Sequence, residues 1–360
     1  MLLKPETRQQ FVDLGYERKA VKQLQNDTRD DEFLVSRIIF LATYGTTIDL
    51  VNLIDEHGLA ETIAQNLSRH VSRQSSTAAE SGKAKQDPME GMALAETLKL
   101  LFNVTKFCSE RLNSFAHAVP PLVSLLLKTD VPSSTKTPLD PPLGLIINAI
   151  MNFKLNNKEV RDAFFPENEP FSVADRLIQL LDLAMKAYSE SEVEAAVTPL
   201  VCVISNVHEH APTTEPSDVR QRIRSKLLPT EEDRKQVLGR GDSLPARLLR
   251  NSTNPLAPEL QKAVSHLFFD MSDRDASTFV KNVGYGYASG FLFQNNIPIP
   301  EGVSDPFNSS DEGSGSKAVN PITGQFLDAE TFPEMPEMTM EEKEREAERL
   351  FVLFERFVSL

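Results

Sequence analysis

Residues 94–107 read LAETLKLLFNVTKF, and their apolar spacing decides the fold. Leu94, Leu98 and Leu101 recur at the i, i+4, i+7 spacing that places side chains on one face of a helix. Few segments alternate apolar and polar residues, and no Asn-Gly or Asp-Gly pair signals a hairpin. The sequence therefore predicts a nearly all-α chain. Segments with the same helical spacing are 33–43, 171–187, 193–207, 244–250 and 259–271.

A short pattern recurs within these helices, in the form apolar-apolar-x-Asn/Asp-apolar. Successive copies lie 49, 54 and 64 residues apart, and armadillo and HEAT units run ~40–47 residues, so each unit would carry a loop insertion. Polar or proline-rich stretches at 68–88, 129–142 and 211–218 are predicted as those loops. We therefore predict an armadillo/HEAT-like helical-repeat superhelix over residues 1–294. The copies are 100–104, 149–153, 203–207 and 267–271, with 39–43 as a degenerate fifth.

The repeated polar residue has two interpretations. An asparagine on an otherwise apolar inner helix could hold the backbone of a ligand in a concave groove. It could equally cap a helix end or bind a loop within its own unit. The pattern alone does not choose between them.

The charge distribution excludes one class of partner. The chain of 360 residues is 40% hydrophobic, which supports a sizeable core, and its formal net charge is −14. A protein that reads a nucleic-acid backbone needs a basic surface, so we expect no nucleic-acid partner. Residues 301–360 hold 14 acids and 5 bases, and the remaining chain is nearly balanced.

The cysteine count and the hydropathy indicate a reduced compartment. Cys108 and Cys202 are too few for a disulfide framework or a four-cysteine zinc site. The first ten residues, MLLKPETRQQ, do not resemble a signal peptide, and no run of 18 apolar residues occurs. We expect a cytoplasmic protein, extending to the cell cortex, with no transmembrane segment.

The C-terminal part divides into a linker and a last helix. Residues 295–337 are rich in Pro, Gly, Ser and Asp, which predicts a flexible acidic linker. Thr339 and Glu342 fit a capping box, and Glu341 and Arg345 form a favourable i,i+4 pair, so a helix is predicted over 338–360. Its apolar stripe must be buried on the body or on a partner. The stripe consists of Ala347, Leu350, Phe351, Phe354, Phe357 and Val358.

No motif indicates chemistry by the chain's own side chains. His208 and His210 are two residues apart and do not share a helix face, so a metal site is not expected. The glycine-rich stretch 284–290 lacks phosphate-loop and dinucleotide spacing and is predicted as a helix end with a tight turn. GRGDS at 239–243 is interpreted as a chance match in a turn. We find no nucleophile–base pair and expect neither catalytic residues, nor metals, nor cofactors.

One candidate modification site lies in the acidic linker. Ser309 is followed three residues later by Glu312, a context that suits an acidophilic kinase. Phosphorylation there or at Ser310 would add about −1.5 to −2 charges. The alternative is a solvated loop that is never modified.

From about Leu94 onwards the chain resembles the synembryn family, also called resistance to inhibitors of cholinesterase. AETLKLLFNVT at 95–105 resembles the family's Leu-Phe-Asn helix, and FVKNVGYGYASG at 279–290 its Lys-x-x-Gly-Tyr-Gly turn. Residues 320–324, Asn-Pro-Ile-Thr-Gly, and the acidic helix at 338–357 match two further motifs in order. Between 140 and 260 the resemblance lies in helical pattern more than in identity.

The resemblance implies a fold and a partner. Members of this family are exchange factors and folding chaperones for heterotrimeric G-protein α subunits, and none makes or breaks a bond. The family's armadillo-like groove takes the C-terminal helix of Gα, and its last helix packs near the Gα switch region. Members usually carry further helical repeats ahead of the part resembling residues 20–60, so the resemblance implies a short form. It also implies phosphorylation at Ser309 and Ser310.

The predicted partner-binding residues combine the repeat with this resemblance. Pairs at i,i+3 or i,i+4 on presumed inner helices share a face, and a pair of arginines suits a carboxylate terminus. The alternative for the arginines is a solvated helix face. The groove residues are Asn103 with Lys106, Asn148 with Asn152, Asn206 with His210, and Arg247 with Arg250; the last helix contributes Ala347, Leu350, Phe351 and Phe354.

Three rival functions remain at this level. A generic armadillo scaffold would bind a peptide without altering nucleotide affinity. A nuclear import adaptor is disfavoured because that class uses tryptophan–asparagine ladders, and the chain has no Trp. An enzyme would need a bound metal or cofactor that the sequence does not indicate.

Overall fold

A computed structural model describes residues 4–79, 87–131, 136–212, 218–300, 317, 319–320, 322–330, 339–341, 343–345 and 347–349. Within this part of the chain helices dominate and strands are absent apart from one isolated bridge, so the predicted all-α class is confirmed. The helices are α1 (Pro5–Asp13), α2 (Tyr16–Leu24), α3 (Arg29–Ala42), α4 (Leu50–Asp55), α5 (Leu59–Ala79), α6 (Pro88–Phe107), α7 (Val119–Lys128), α8 (Leu143–Met151), α9 (Lys158–Phe164), α10 (Ser172–Ala187), α11 (Val193–His210), α12 (Val219–Leu227), α13 (Leu244–Asn251), α14 (Pro258–Met271), α15 (Ala276–Val283) and α16 (Tyr285–Gln294).

Local chemistry explains where these helices begin. The Asp87 carboxylate accepts from the Met89 amide at the start of α6, and Pro88 occupies the first helical position. Asn157 caps α9 and Ser243 caps α13 in the same way. The helices predicted from apolar spacing are all present, each within a few residues of its predicted ends. A 3-10 helix at Ser109–Ala118 was not predicted.

The helices pack in two layers. An inner row is formed by α3, α6, α8, α11 and α14, each in contact with the next. An outer row is formed by α5, α7, α10 and the pair α12 and α13, and it covers the inner row from one side. Each inner helix that carries the repeated pattern thus has an outer partner, which fits the predicted stack of repeats.

The core is continuous along both layers. Buried apolar side chains form one cluster that begins at Val21 and ends at Leu292, with Phe115, Phe164, Phe268 and Phe279 among its largest members. Burial of this kind is the main source of stability in a helical stack, because no single helix pair can cover its own apolar stripe.

The loop predicted at 68–88 was wrong over its first half. Helix α5 continues to Ala79, and α6 begins at Pro88. The stretch is polar but has no helix-breaking residue there, and the hydroxyls of Ser68 and Ser72 donate to the carbonyls of Ala64 and Ser68 one turn earlier. These two hydroxyls are therefore satisfied by the helix itself. The described residues of the other two predicted loops, 129–142 and 211–218, are not helical.

Two features lie beyond α16. Residues 319–320 and 322–330, within the segment predicted as a linker, fold back onto the body and include a 3-10 turn at Leu327–Ala329. Residues 340–349 are helical wherever described, and the predicted Glu341–Arg345 pair is present at 3.8 Å. Every described residue of this helix is exposed. In the described part of the chain, no helix has the length and apolar character needed to span a membrane.

Candidate functional site

The repeated asparagines join neighbouring units of the inner row. The Asn152 amide donates to the carbonyl of Phe102 at 2.9 Å and to the Thr105 hydroxyl at 2.9 Å, both on α6. The Asn206 amide donates to the carbonyl of Phe153 at 2.9 Å. These side chains therefore bind residues near the C-terminal end of the preceding repeat helix.

The first and last copies of the pattern follow the same rule. Asn103 is only 2% exposed, and its side-chain amide donates to the Thr43 hydroxyl at the end of α3 at 2.8 Å. The Tyr44 hydroxyl donates to the side-chain oxygen Oδ1 of Asn103 at 3.4 Å. Asp270 accepts from the Ser205 hydroxyl at 3.3 Å. We call Asn103, Asn152, Asn206 and Asp270 the polar ladder. Its bonds cross from unit to unit, which neither interpretation of the repeated residue had specified.

Other predicted groove residues are freer. Asn148 lies one turn before Asn152 on α8 and is half-buried, and its amide makes no hydrogen bond within the described chain. Lys106 is exposed, with its ammonium 5.5 Å from the centre of the Phe102 ring. His210 contacts the carbonyl of Asn206 through Nδ1 at 3.0 Å. The free groups on this face are thus an amide and an ammonium.

An aromatic patch that was not predicted lies beside them. Tyr44 packs edge-on against Phe40 and Phe107, with ring centres 5.3 and 6.5 Å apart. Tyr44 is 43% exposed and Phe107 is 50% exposed. Large aromatic side chains left open to solvent at adjacent helix ends are typical of a binding surface. We call Phe40, Tyr44 and Phe107 the aromatic patch.

The predicted arginine pair is used within the fold. Arg247 is 7% exposed and binds the Asp182 carboxylate and the carbonyl of Asp242. Arg250 donates to the carbonyls of Gly239 and Gly241, both at 2.6 Å. Both guanidinium groups therefore hold the GRGDS loop in place, although Arg250 keeps a solvent-exposed side.

A charged cavity of about 210 Å³ lies between α11, α12 and α14. Arg224 binds Asp273, and Arg274 binds Asp270 and Glu209, so the charges in its wall are balanced. His208 accepts from Arg224 at 3.3 Å and is 3% exposed. Burial, with the charges of Arg224 and Arg220, lowers the pKa of His208 to about 4, so the imidazole is neutral. In the described residues no group of side chains suits a metal ion.

The segment after α16 forms a compact clasp, residues 319–320 and 322–330. The Asn320 carboxamide oxygen accepts from the amides of Ile322 at 2.9 Å and Thr323 at 3.3 Å, which makes a tight Asx turn. Gly324 adopts φ 69°, a left-handed conformation that favours glycine. An antiparallel bridge between Val319 and Phe326 closes the turn.

The clasp is bound to the last units through main-chain hydrogen bonds. Phe326 donates to the carbonyl of Arg234 at 2.8 Å, Leu238 donates to Thr323 at 3.2 Å, and Gly286 donates to Ile322 at 3.2 Å. The clasp therefore joins the 234–238 loop to the start of α16. Because Gly286 and Ile322 belong to two of the motifs that carry the family resemblance, these motifs are in direct contact.

Arg234 is the centre of this contact, and no sequence pattern predicts its role. Its guanidinium donates to the carbonyls of Gly324 at 2.9 Å, Lys281 at 3.0 Å and Asn282 at 2.9 Å. One side chain thus links the clasp to the end of α15. Burial lowers the pKa of Arg234 below the usual arginine value, and the three carbonyls supply the acceptors that a buried guanidinium needs.

The predicted site residues of the C-terminal part lie on the last helix or outside the described residues. Ala347 lies on the described part of the last helix and is exposed. Leu350, Phe351, Phe354, Ser309 and Ser310 lie outside the described residues.

The stacked helix pairs define an all-α protein whose inner row carries exposed aromatic and ammonium groups and a half-buried amide. A family model described as guanine nucleotide exchange factor synembryn matches residues 1–359. The chain therefore belongs to the synembryn family.

Individual relatives agree with this assignment. A synembryn-like chaperone of Schizosaccharomyces pombe is 24% identical over 375 aligned positions, which cover 98% of this chain and 67% of that protein. The chaperone Ric-8A of Xenopus laevis is 26% identical over 72% of this chain and 50% of its own length. The chaperone Ric-8A of Xenopus tropicalis is 28% identical over 50% of this chain. The chain thus spans about two thirds of the yeast relative, and the match to the second frog protein covers 33% of that protein.

Proposed function

We propose that this chain binds the α subunit of a heterotrimeric G protein in its nucleotide-free state, and so acts as an exchange factor and folding chaperone. The observation that carries the proposal is the family match over residues 1–359. The names of the relatives, a synembryn-like chaperone and Ric-8A chaperones, support the chaperone activity. The action on Gα is what membership of this family implies.

The mechanism needs binding alone. A protein that prefers empty Gα to GDP-bound Gα must weaken GDP binding by the same factor, because the two equilibria are linked. Docking of the Gα C-terminal helix would draw it from its own sheet and loosen the loop that holds the guanine. GDP then leaves, and GTP rebinds and releases the complex. The same preference protects an incompletely folded Gα until nucleotide arrives.

The inner row offers a surface for the Gα C-terminal helix. The aromatic patch supplies exposed apolar area, Lys106 lies one residue before Phe107, and Asn148 presents an amide that makes no hydrogen bond within the described residues. An amphipathic helix with a terminal carboxylate suits such a combination of apolar, amide and cationic groups. Among the predicted residues, Lys106 and Asn148 are therefore the best candidates for direct contact, with Asn103, Asn152 and Asn206 supporting them from the polar ladder.

The C-terminal helix supplies a second contact in this proposal. Ala347, Leu350, Phe351 and Phe354 would pack on the nucleotide domain of Gα. Ser309 and Ser310 remain proposed phosphorylation sites for an acidophilic kinase, and the proposed location is the cytoplasm.

Nucleotide release tests the proposal directly. Purified Gα loaded with fluorescent GDP should release it several-fold faster when this chain is added in excess. In parallel, light scattering should report less aggregation of nucleotide-free Gα in its presence. Release and aggregation both unchanged would overturn the proposal. Binding of a Gα C-terminal peptide with an unchanged release rate would favour the rival scaffold without exchange activity.

A further inference from the structure

The clasp changes how far the C-terminal helix can move from the helical body. Thr339 begins that helix, and 38 residues separate it from Pro300, the last residue described after α16. The clasp returns the chain to the helical body, and its last residue is Glu330. Only 8 residues then separate the clasp from Thr339. Nine extended steps span at most about 30 Å, whereas the whole connection could span about 130 Å.

Hydrogen bonds within the clasp give it its shape, and a few bonds hold it to the body. The Asx turn at Asn320 and the left-handed Gly324 shape it, and Asn320 also donates to the Glu330 carboxylate at 2.6 Å. Gln325 donates to the carbonyls of Lys235 at 3.2 Å and Ala329 at 2.9 Å, so the far end of the clasp is bound as well. The clasp is thus attached to the body through residues 322–326, and its two ends are bound to each other and to Gln325 within the clasp.

We infer that the clasp is a positioning element that sets the reach of the C-terminal helix, with Asn320, Gly324 and Arg234 as its positioning residues. The inference rests on the proposed function, because it assumes that the inner row and the terminal helix bind one Gα molecule together. Two linked contacts bind with an effective concentration that falls with about the −3/2 power of tether length. Lengthening the tether from 8 to 38 residues lowers that concentration about tenfold.

Two substitutions release the clasp and leave the layers intact. A methyl group at Gly324 would overlap the Leu238 side chain and would sit on a backbone with φ 69°. Asn320→Ala removes the acceptor of the Asx turn. The test variant is therefore N320A/G324A. Gly290→Ala is a matched control, because Gly290 lies in α16 without a positive φ and nothing would meet its new methyl group within 4 Å.

The first measurement compares two ligands. N320A/G324A should bind intact nucleotide-free Gα about tenfold more weakly than wild type, and it should bind a Gα C-terminal peptide equally well. G290A should match wild type with both ligands. Equal affinity of the variant and wild type for intact Gα would overturn the inference. If wild type itself does not bind Gα, the proposed function fails instead, and the second measurement decides the inference.

The second measurement needs no partner. Spin labels at Lys262→Cys on α14 and Lys343→Cys on the last helix, in a C108A/C202A background, report the distance between body and helix. Releasing the clasp should move the distance distribution to longer values and broaden it, while G290A should leave it unchanged. Superimposable distance distributions for N320A/G324A and wild type would contradict the inference, whether or not the chain binds Gα. Thermal denaturation verifies that the helical layers remain folded.

Discussion

The side-chain amide of Asn152 donates to the main-chain carbonyl of Phe102, 2.9 Å away in the preceding unit of the stack. That carbonyl lies in the last two turns of α6. The same relationship joins Asn206 to Phe153. Since the distance between equivalent helices is set by these bonds as well as by apolar packing, the polar ladder fixes the register of one unit on the next.

Removing one residue of the polar ladder should therefore destabilise the fold. Asn152→Ala leaves the Phe102 carbonyl and the Thr105 hydroxyl without this donor, and the free energy of unfolding should fall by about 1–3 kcal/mol. Urea denaturation followed by circular dichroism measures the change. Asn156→Ala, at an exposed position five residues from α8, is the control and should change stability by less than about 0.5 kcal/mol. Equal stability of N152A and wild type would mean that the ladder contributes nothing.

Partner binding on the inner row should depend on the exposed side chains of Lys106 and the aromatic patch, and not on the polar ladder. Lys106→Glu reverses an exposed charge next to Phe107 of the aromatic patch, and we expect about tenfold weaker binding of a Gα C-terminal peptide, or about 1.4 kcal/mol. Tyr44→Ala should have an effect of similar size, because it removes exposed apolar area from the patch.

Isothermal titration calorimetry with the peptide checks both variants. Lys158→Glu carries the same charge change on α9, which packs on α7 in the outer row, and should bind like wild type. If K158E and K106E weakened binding equally, only net charge would matter and the inner row would lose its assignment.

The sequence was sufficient for most of the helices, because they depend on apolar spacing along a single segment, and the contacts of the inner row fit the predicted repetition. The pattern around Asn103, Asn152 and Asn206 also identified the residues that join the units. What it could not supply was the direction of their amides. An asparagine that joins two units and an asparagine that binds a ligand have the same side chain at the same helical position. Only the position of the preceding helix distinguishes them.

The contacts that the sequence missed are those between segments far apart in the chain. Arg234 gave no signal, since a single arginine in a polar loop is normally solvated. Its role depends on the clasp, about 90 residues later. The aromatic patch was missed for a related reason, because Tyr44 and Phe107 come from different units and either alone would read as an ordinary core residue.

His208 should make stability depend on pH. The pKa of this imidazole is about 4 in the folded protein, because burial and nearby arginines disfavour the charged form, against 6.5 for an ordinary histidine. The unfolded chain therefore takes up a proton first as pH falls. The contribution of neutral His208 to the free energy of unfolding is fully present above pH 6.5 and is lost as pH falls towards 4. The loss between pH 7 and pH 5 is about 2 kcal/mol.

Urea denaturation at pH 7, 6 and 5 measures this loss. His208→Gln cannot take up the proton, so its free energy of unfolding should fall by about 2 kcal/mol less than that of wild type over this range. His266→Gln, at an exposed position on α14, should follow wild type. Parallel curves for H208Q and wild type would show that His208 is not held neutral by its surroundings.

The C-terminal helix should matter for nucleotide release and hardly at all for peptide binding. The described residues of 340–349 are exposed and none packs on the helical layers, so deleting 338–360 should leave the free energy of unfolding nearly unchanged. The Gα C-terminal peptide should bind the shortened chain as it binds wild type, because the inner row is intact. Release of GDP from intact Gα should slow by at least about tenfold, since one of two linked contacts is lost. Stopped-flow fluorescence and calorimetry measure the two effects on the same preparation. Equal losses in both assays would mean that the last helix supports the fold, and a loss of peptide binding alone would place the peptide on the helix.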